Sequence, residues 1–330
     1  MSDPTAAATW SVRLTDRDLR ILCGFFEARV MRIDHVAAFH FEGRIEAAAK
    51  RLQKLKAAGL LAERPRRRYE PSILHLTTPA LRELKRRGLL QRYPRVFNLH
   101  KRHQVSPLTL RHELTVLDVR AAFFRATTGK PGVSIDPFLT WPRLCQFRPS
   151  PRTGGRVVTC RPDGFFTINE AAPATTPRNR PATLAHHFYL ELDRGTETLA
   201  TLSDKALCYR AHYAGGGFAA QHGASPADFR AHPFRVLVVL NSAERRNNAI
   251  EALLRQRAPI LTQVWLATLE DVLRDPLGAV WVQPRDYRDA LASTEHTVAV
   301  PTPVDGTYRR NVQRDPFVDR TVPRRQMIGA

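Results

Sequence analysis

The sequence predicts a mixed α/β chain of the α+β kind: a helical N-terminal module carrying a two-stranded ribbon, followed by a mixed-sheet domain. Three observations carry this expectation. Capped, helix-periodic segments run from Leu14 to Gly88. The period of apolar residues changes from helical to extended after about residue 124. Beyond that point the elements read α-β-β-β-α-β-α-β, an order that gives a sheet with helices on its faces. The chain of 330 residues has room for two such parts, each with its own core.

The elements follow in order. Thr15 is placed to cap a first helix, with Asp18 as the return partner of a capping box and Leu19, Leu22, Cys23 and Phe26 at helical spacing behind it. A short second helix runs from about Ile33 to Phe39, with Asp34 placed to cap it. A third runs from Arg44 to Ala58 between Gly43 and Gly59. On the third helix Ile45, Ala49 and Leu52 make an apolar side, and Ala47, Lys50, Arg51 and Lys54 lie roughly opposite. Leu60 to Arg64 and Tyr69 to Leu76 read as two strands around an arginine-loaded turn at Pro65 to Arg68, and Thr78 and Pro79 start a closing helix that Gly88 ends.

A basic linker over 91–108 leads to a helix from about Thr109 to Phe124. Strands are expected near Val133 to Leu139, Val157 to Ile168, Ala185 to Asp193, Phe234 to Leu240 and Gln263 to Leu269. Helices are expected at Glu197 to Tyr213 and Ala243 to Arg255. The expected domains are therefore a disordered start over 1–13, a DNA-binding module over 14–90, the linker, a mixed-sheet domain over 109–290 and a flexible tail over 291–330. Glu170 to Thr183 and Gly215 to Gly217 read as loops.

Charge narrows the function. Lys and Arg number 51 against 31 Asp and Glu, leaving +20, and residues 1–110 hold 22 of the basic residues against 10 acidic ones. Clustering of this kind suits a surface that meets phosphates. No apolar run approaches the ~18 residues of a membrane span, and Met1 to Trp10 lacks the regions of a signal peptide, so the expectation is a cytoplasmic protein with no membrane partner. Four dispersed cysteines, with no Cys-x-x-Cys pair, read as buried thiols rather than a zinc site or disulfide framework.

A basic third helix followed by Arg66, Arg67 and Arg68 in a ribbon turn is the layout of a winged helix-turn-helix. Arg44, Lys50, Arg51, Lys54 and those three arginines are accordingly the expected contacts to double-stranded DNA. A second constellation lies in the strands. Asp163 follows Arg161 and Pro162, while Glu191 and Asp193 share one face of a later strand. Together the three carboxylates are an expected Mg²⁺ site, able to activate water against a phosphodiester. The same acids could instead form a structural ion cluster with Arg161 or Arg194.

The N-terminal module, the Arg161-Pro162-Asp163-Gly164 segment, and Glu191-Leu-Asp-Arg-Gly-Thr-Glu197 with Lys205 and Tyr209 downstream together resemble the replication-relaxation family of plasmids and other mobile elements. The likeness covers roughly residues 14 to 285. It implies DNA processing on a mobile element, with replication or mobilisation proteins as further partners. The strand region also resembles the restriction-endonuclease-like core. Asp163 and Glu191 match its first two motif positions, and Asp193 stands where its lysine belongs. Lys205, on the following helix, is the expected substitute, which makes Asp163, Glu191 and Lys205 the catalytic candidates. A Mg²⁺-dependent nuclease and a transcriptional regulator with a degenerate nuclease-like domain are the alternative readings.

Other chemistries find no motif. No pair of histidines has the His-x-His spacing of a rolling-circle relaxase, Gly129-Lys130 runs into a proline rather than a phosphate loop, and His232-Pro-Phe-Arg235 sits at a strand start without a recombinase tyrosine motif.

Overall fold

The computed structural model describes residues 12–91, 93, 104–144, 147, 159–172, 183–295 and 322–328. The expected disordered start, most of the basic linker, most of the 170–183 loop, Cys145 and much of the tail lie outside the described residues. The chain divides into two compact units, Met1–Cys145 and Gln146–Ala330.

In the first unit, helices α1 (Asp16–Ala28), α2 (Ile33–His40) and α3 (Ile45–Ala57) precede a ribbon of β1 (Leu61–Glu63) and β2 (Leu74–Leu76), then α4 (Thr78–Arg86), α5 (Pro107–Thr127) and β3 (Val133–Leu139). The capping box forms as expected: Asp18 N–H donates to the Thr15 hydroxyl at 3.3 Å, and Thr15 N–H donates to the Asp18 carboxylate at 2.7 Å. The ribbon is antiparallel with Leu61 opposite Leu76. Ile21, Leu22, Phe25, Leu52, Leu55 and Leu84 meet in one buried core.

Three details differ from expectation. The buried stripe of α3 is Ala48, Leu52 and Leu55, while Ile45 is half exposed because the first turn of α3 runs past the core. Arg32, not Asp34, occupies the cap position of α2, and the Arg32 amide donates to His35 Nδ1 at 3.3 Å. The helix expected to open the second domain, α5, belongs to the first unit. Leu117 joins its core, Phe124 packs on Phe39 with ring centroids 5.5 Å apart, and Asp118 bonds His35 Nε2 at 2.8 Å. Apolar burial and a buried acid–base contact thus place α5 with α2.

The second unit is built on four strands in the order β4 (Gly164–Ala171), β5 (Thr183–Asp193), β6 (Phe234–Leu240) and β7 (Val264–Thr268). β4 and β5 are antiparallel with Gly164 opposite Leu190. β6 is parallel to β5 with Val238 opposite Glu191, and β7 is parallel to β6. Parallel strands need crossovers, and helices α6 (Leu199–Ala214) and α8 (Ala243–Leu254) supply them. β6 and β7 are buried almost throughout, as both-face coverage requires.

β4 begins later than expected, so Asp163 stands just ahead of the strand rather than within it. Gly217 opens a short helix, α7 (Gly217–Gln221), where a loop was expected. Helices α9 (Leu269–Arg274) and α10 (Pro284–Glu295) complete the unit, α10 running into the expected tail. Residues 322–328 of that tail are packed. Arg325 exchanges backbone hydrogen bonds with Trp281, and its guanidinium bonds both carboxylate oxygens of Asp286 at 2.7 Å.

Cys23, Cys160 and Cys208 are buried thiols outside any disulfide. No helix among the described residues is long and apolar enough to cross a membrane.

Candidate functional site

The β4–β5 register and the α6 crossover assemble one cluster in the second unit. The Asp163 amide donates to Leu190 O at 3.0 Å, and its carboxylate accepts from the Leu192 amide at 2.8 Å. These two bonds bracket Glu191. Thr198 caps α6 through the Thr201 amide, and Leu202, Ala206 and Tyr209 bury one side of the helix at helical spacing. Lys205 shares that side and is thereby carried back to the sheet.

Its ammonium donates to Glu191 Oε2 at 3.1 Å and to Glu197 Oε1 at 2.8 Å. The buried Tyr209 hydroxyl donates to Glu191 Oε1 at 2.5 Å. Glu191, Asp193, Glu197, Lys205 and Tyr209 line one pocket with the apolar side chains of β6 and β7 behind them.

Burial disfavours the charged form of Glu191, and the field of Asp163 adds to this. The Lys205 charge and the bonds from Tyr209 and Lys205 oppose it, and the balance leaves the carboxyl pushed up to about 7. Burial works against the Lys205 charge as well, but Glu191 and Glu197, with Asp163, outweigh it and raise its pKa. Tyr209 is raised well above a free phenol, first by burial and then by the charge of Glu191. With its hydroxyl enclosed and turned to Glu191, Tyr209 holds that carboxylate in place.

Glu191 and Lys205 therefore meet, with Asp163 bonded to the backbone on both sides of Glu191, while Asp193 is taken up by other partners. Its Oδ2 accepts from Arg245 Nε at 2.9 Å, and its Oδ1 accepts from the Gly195 amide at 2.7 Å. Arg245, from α8, also bonds the Glu197 carbonyl. Asp193 thus holds α8 and the turn after β5 while it lines the same pocket as Glu191. Asp163 and Glu191 still offer hard oxygen donors, which suits Mg²⁺, an ion bound through one or two carboxylates with water and substrate phosphate completing its shell.

Among the described residues one group brings three ligand atoms within 4.8 Å, namely Asp34, His35 and Asp118. It lies in the first unit, where the Arg32 guanidinium bonds both aspartates. The Arg32 amide can only donate, so His35 Nδ1 accepts and Nε2–H faces Asp118. A guanidinium already fills the cation place, and the cluster ties α2 to α5.

The expected DNA contacts separate into two groups. Lys50, Lys54, Arg67 and Arg68 are exposed, and no described carboxylate lies within ion-pairing distance of them. Arg44 pairs with Glu42 at 3.2 Å and Arg66 with Glu63 at 2.6 Å, both exposed contacts of little worth that a phosphate could replace. Arg51 differs. Its Nε donates to buried Asp18 at 2.6 Å, and its terminal nitrogen bonds the second carboxylate oxygen. The expectation that Arg51 faces DNA is corrected: it clamps α3 to α1.

Sequence reasoning quoted Glu197 in its motif without giving it a role, and missed Arg245. The Glu197 to Lys205 spacing, from a turn onto the second turn of a helix, was a readable signal. Arg245 gave none, since only the β5–α8 packing brings it to Asp193.

Fold and site together define a protein with a basic helical unit ahead of a mixed-sheet unit that carries a lysine-bridged carboxylate cluster. Residues 25–227, more than half of the chain, match the family model described as Replication-relaxation, and the chain belongs to that family. No curated protein and no solved structure matches it. Family membership supports a role connected with replication on plasmids or mobile elements.

Proposed function

We propose that the chain is a cytoplasmic DNA-processing protein of mobile-element replication. Its first unit docks on duplex DNA as a winged helix, and its second is a Mg²⁺-dependent nuclease of the restriction-endonuclease-like kind. The observation that carries the reading is Lys205 reaching Glu191 from α6 at 3.1 Å, with Asp163 bonded across the neighbouring strand end. The run of α5, β3, β4, β5, α6 and β6 along the chain supports the core assignment. The exposed cations of α3 and the ribbon turn support docking.

Asp163 and Glu191 would hold the Mg²⁺, which when bound supplies Lewis acidity and lowers the pKa of water. Lys205 orients the attacking water and balances negative charge at the phosphate. Tyr209 fixes the rotamer of Glu191, and Arg245 holds Asp193. Glu197 holds the Lys205 ammonium until substrate phosphate competes for it.

The test is nicking of supercoiled plasmid with Mg²⁺ by the full chain. Nicked circles are expected from the wild type and are lost in Glu191→Gln and Lys205→Ala. Cleavage surviving in both variants overturns the site. A folded wild type that binds duplex but never cleaves reduces the second unit to a binding module.

A further inference from the structure

Several arginines of the first unit are held by acids. Arg29 meets Glu113, Arg32 meets Asp34 and Asp118, Arg51 meets Asp18, and Arg86 and Arg87 share Glu83. Three stand apart. Among the described residues no carboxylate lies within ion-pairing distance of Arg17 or Arg20 on α1, or of Arg120 on α5. Aromatic rings hold two of them instead: the Arg17 guanidinium lies 5.2 Å from the Phe41 centroid, and that of Arg120 lies 4.4 Å from Phe39.

Phe39, His40 and Phe41 are consecutive at the end of α2, so the two guanidiniums stack on the residues that neighbour His40 in the chain. Spacing along α1 puts Arg17, Arg20 and Gly24 on one stripe. At Gly24 that stripe comes so close to α2 that a Cβ would stand 3.4 Å from His40 Nε2. The Arg120 Nε is buried with no hydrogen-bond partner. Burial first, then the fields of Arg120, Arg20 and Arg17, push His40 down to about 4, so three cations act on one imidazole.

Gathering three cations with only the field of Glu27 acting back on Arg120 costs energy, and the exposed Arg17 guanidinium, stacked on Phe41, keeps its N–H edge free for an anion. A helix C-terminus alone would favour cations here, but one would serve.

We propose that Arg17, Arg20, His40 and Arg120 form a second phosphate contact for duplex DNA, distinct from the cations of α3 and the ribbon turn. Its anion is a backbone phosphate, which the guanidinium edges bind as hydrogen-bond donors and whose charge relieves the repulsion around His40. The inference rests on the reading that the first unit docks on DNA.

Anisotropy of a labelled duplex, titrated with the full chain over a range of salt, tests it. Arg17→Ala with Arg20→Ala should flatten the salt slope by about two units, while Arg17→Lys with Arg20→Lys keeps most of it. Both arginines are exposed, so the melting temperature should hold. A slope unchanged in the alanine pair but flattened by Lys50→Ala with Lys54→Ala overturns this site and leaves docking intact. No duplex affinity in the wild type overturns docking itself. As a second readout, duplex should raise the His40 pKa seen by NMR in the wild type. An unmoved His40 under saturating duplex counts against the site.

Discussion

Each unit contains a buried acid met by a long basic side chain from another element, and the two pairs behave oppositely. Asp18 accepts both nitrogens of the Arg51 fork and the Thr15 amide and hydroxyl. Burial alone would raise it, yet these donors outweigh burial and hold it below the ordinary aspartate range. Glu191 is enclosed by more of the protein, receives a single ammonium and a phenol and feels the charge of Asp163, so burial prevails and the group is held near neutrality. Enclosure, donor number and neighbouring charge together separate a carboxylate that fastens helices from one poised to take up or release a proton.

Several measurements would break or sharpen this contrast. The largest effect belongs to Glu191→Gln, expected to remove Mg²⁺-dependent nicking by about a thousandfold or more. The amide accepts from Tyr209 as the acid does, so the fold should persist by circular dichroism. Arg51→Ala comes next. It leaves Asp18 buried without its partner and should destabilise the first unit by about 3 kcal/mol in urea unfolding. The Asp18 pKa is lowered on folding, so its stabilisation is present above the unfolded value of about 4 and is lost as pH falls through the folded value. Arg51→Ala should erase that acid sensitivity.

Glu191 has the opposite sign. Its pKa is raised on folding, so the stabilisation from its neutral form is complete below about 4.3 and lost as pH rises toward about 7. The ionised form is the one that would hold Mg²⁺, so nicking should rise about tenfold per pH unit up to about 7 and then level off. Glu191→Gln should flatten thermal stability over the same window. Smallest is Lys50→Ala with Lys54→Ala: duplex affinity about tenfold weaker at 200 mM than at 50 mM salt relative to wild type is not expected. Rather, the variant's steep loss of affinity over that range should shrink by about tenfold, with stability unchanged.

What was legible in the sequence follows the range of the interactions. The Thr15 and Asp18 capping box spans three residues and is written out in the chain. Val133 to Leu139 and Phe234 to Leu240 are strands over the residues their patterning predicts, because each lies between strong turn signals. The rise of Lys205 to the sheet was also readable, since helical spacing from Leu202 to Tyr209 leaves it one side to face. The partner of Arg51 was not. Helical phase put it opposite Ile45, but the true buried stripe is centred on Leu52 and Leu55, which rotates Arg51 toward α1. Arg245 and the membership of α5 depended on packing between elements far apart in sequence, which no local pattern records.

The strap at 322–328 has a practical consequence for handling the molecule. It supplies a backbone partner to Trp281, the bulkiest enclosed side chain among the described residues, and a counter-charge to Asp286. Trimming the last few dozen residues would therefore remove the backbone partner of Trp281 and leave Asp286 with Arg285 at 3.9 Å, so the shortened second unit should melt earlier.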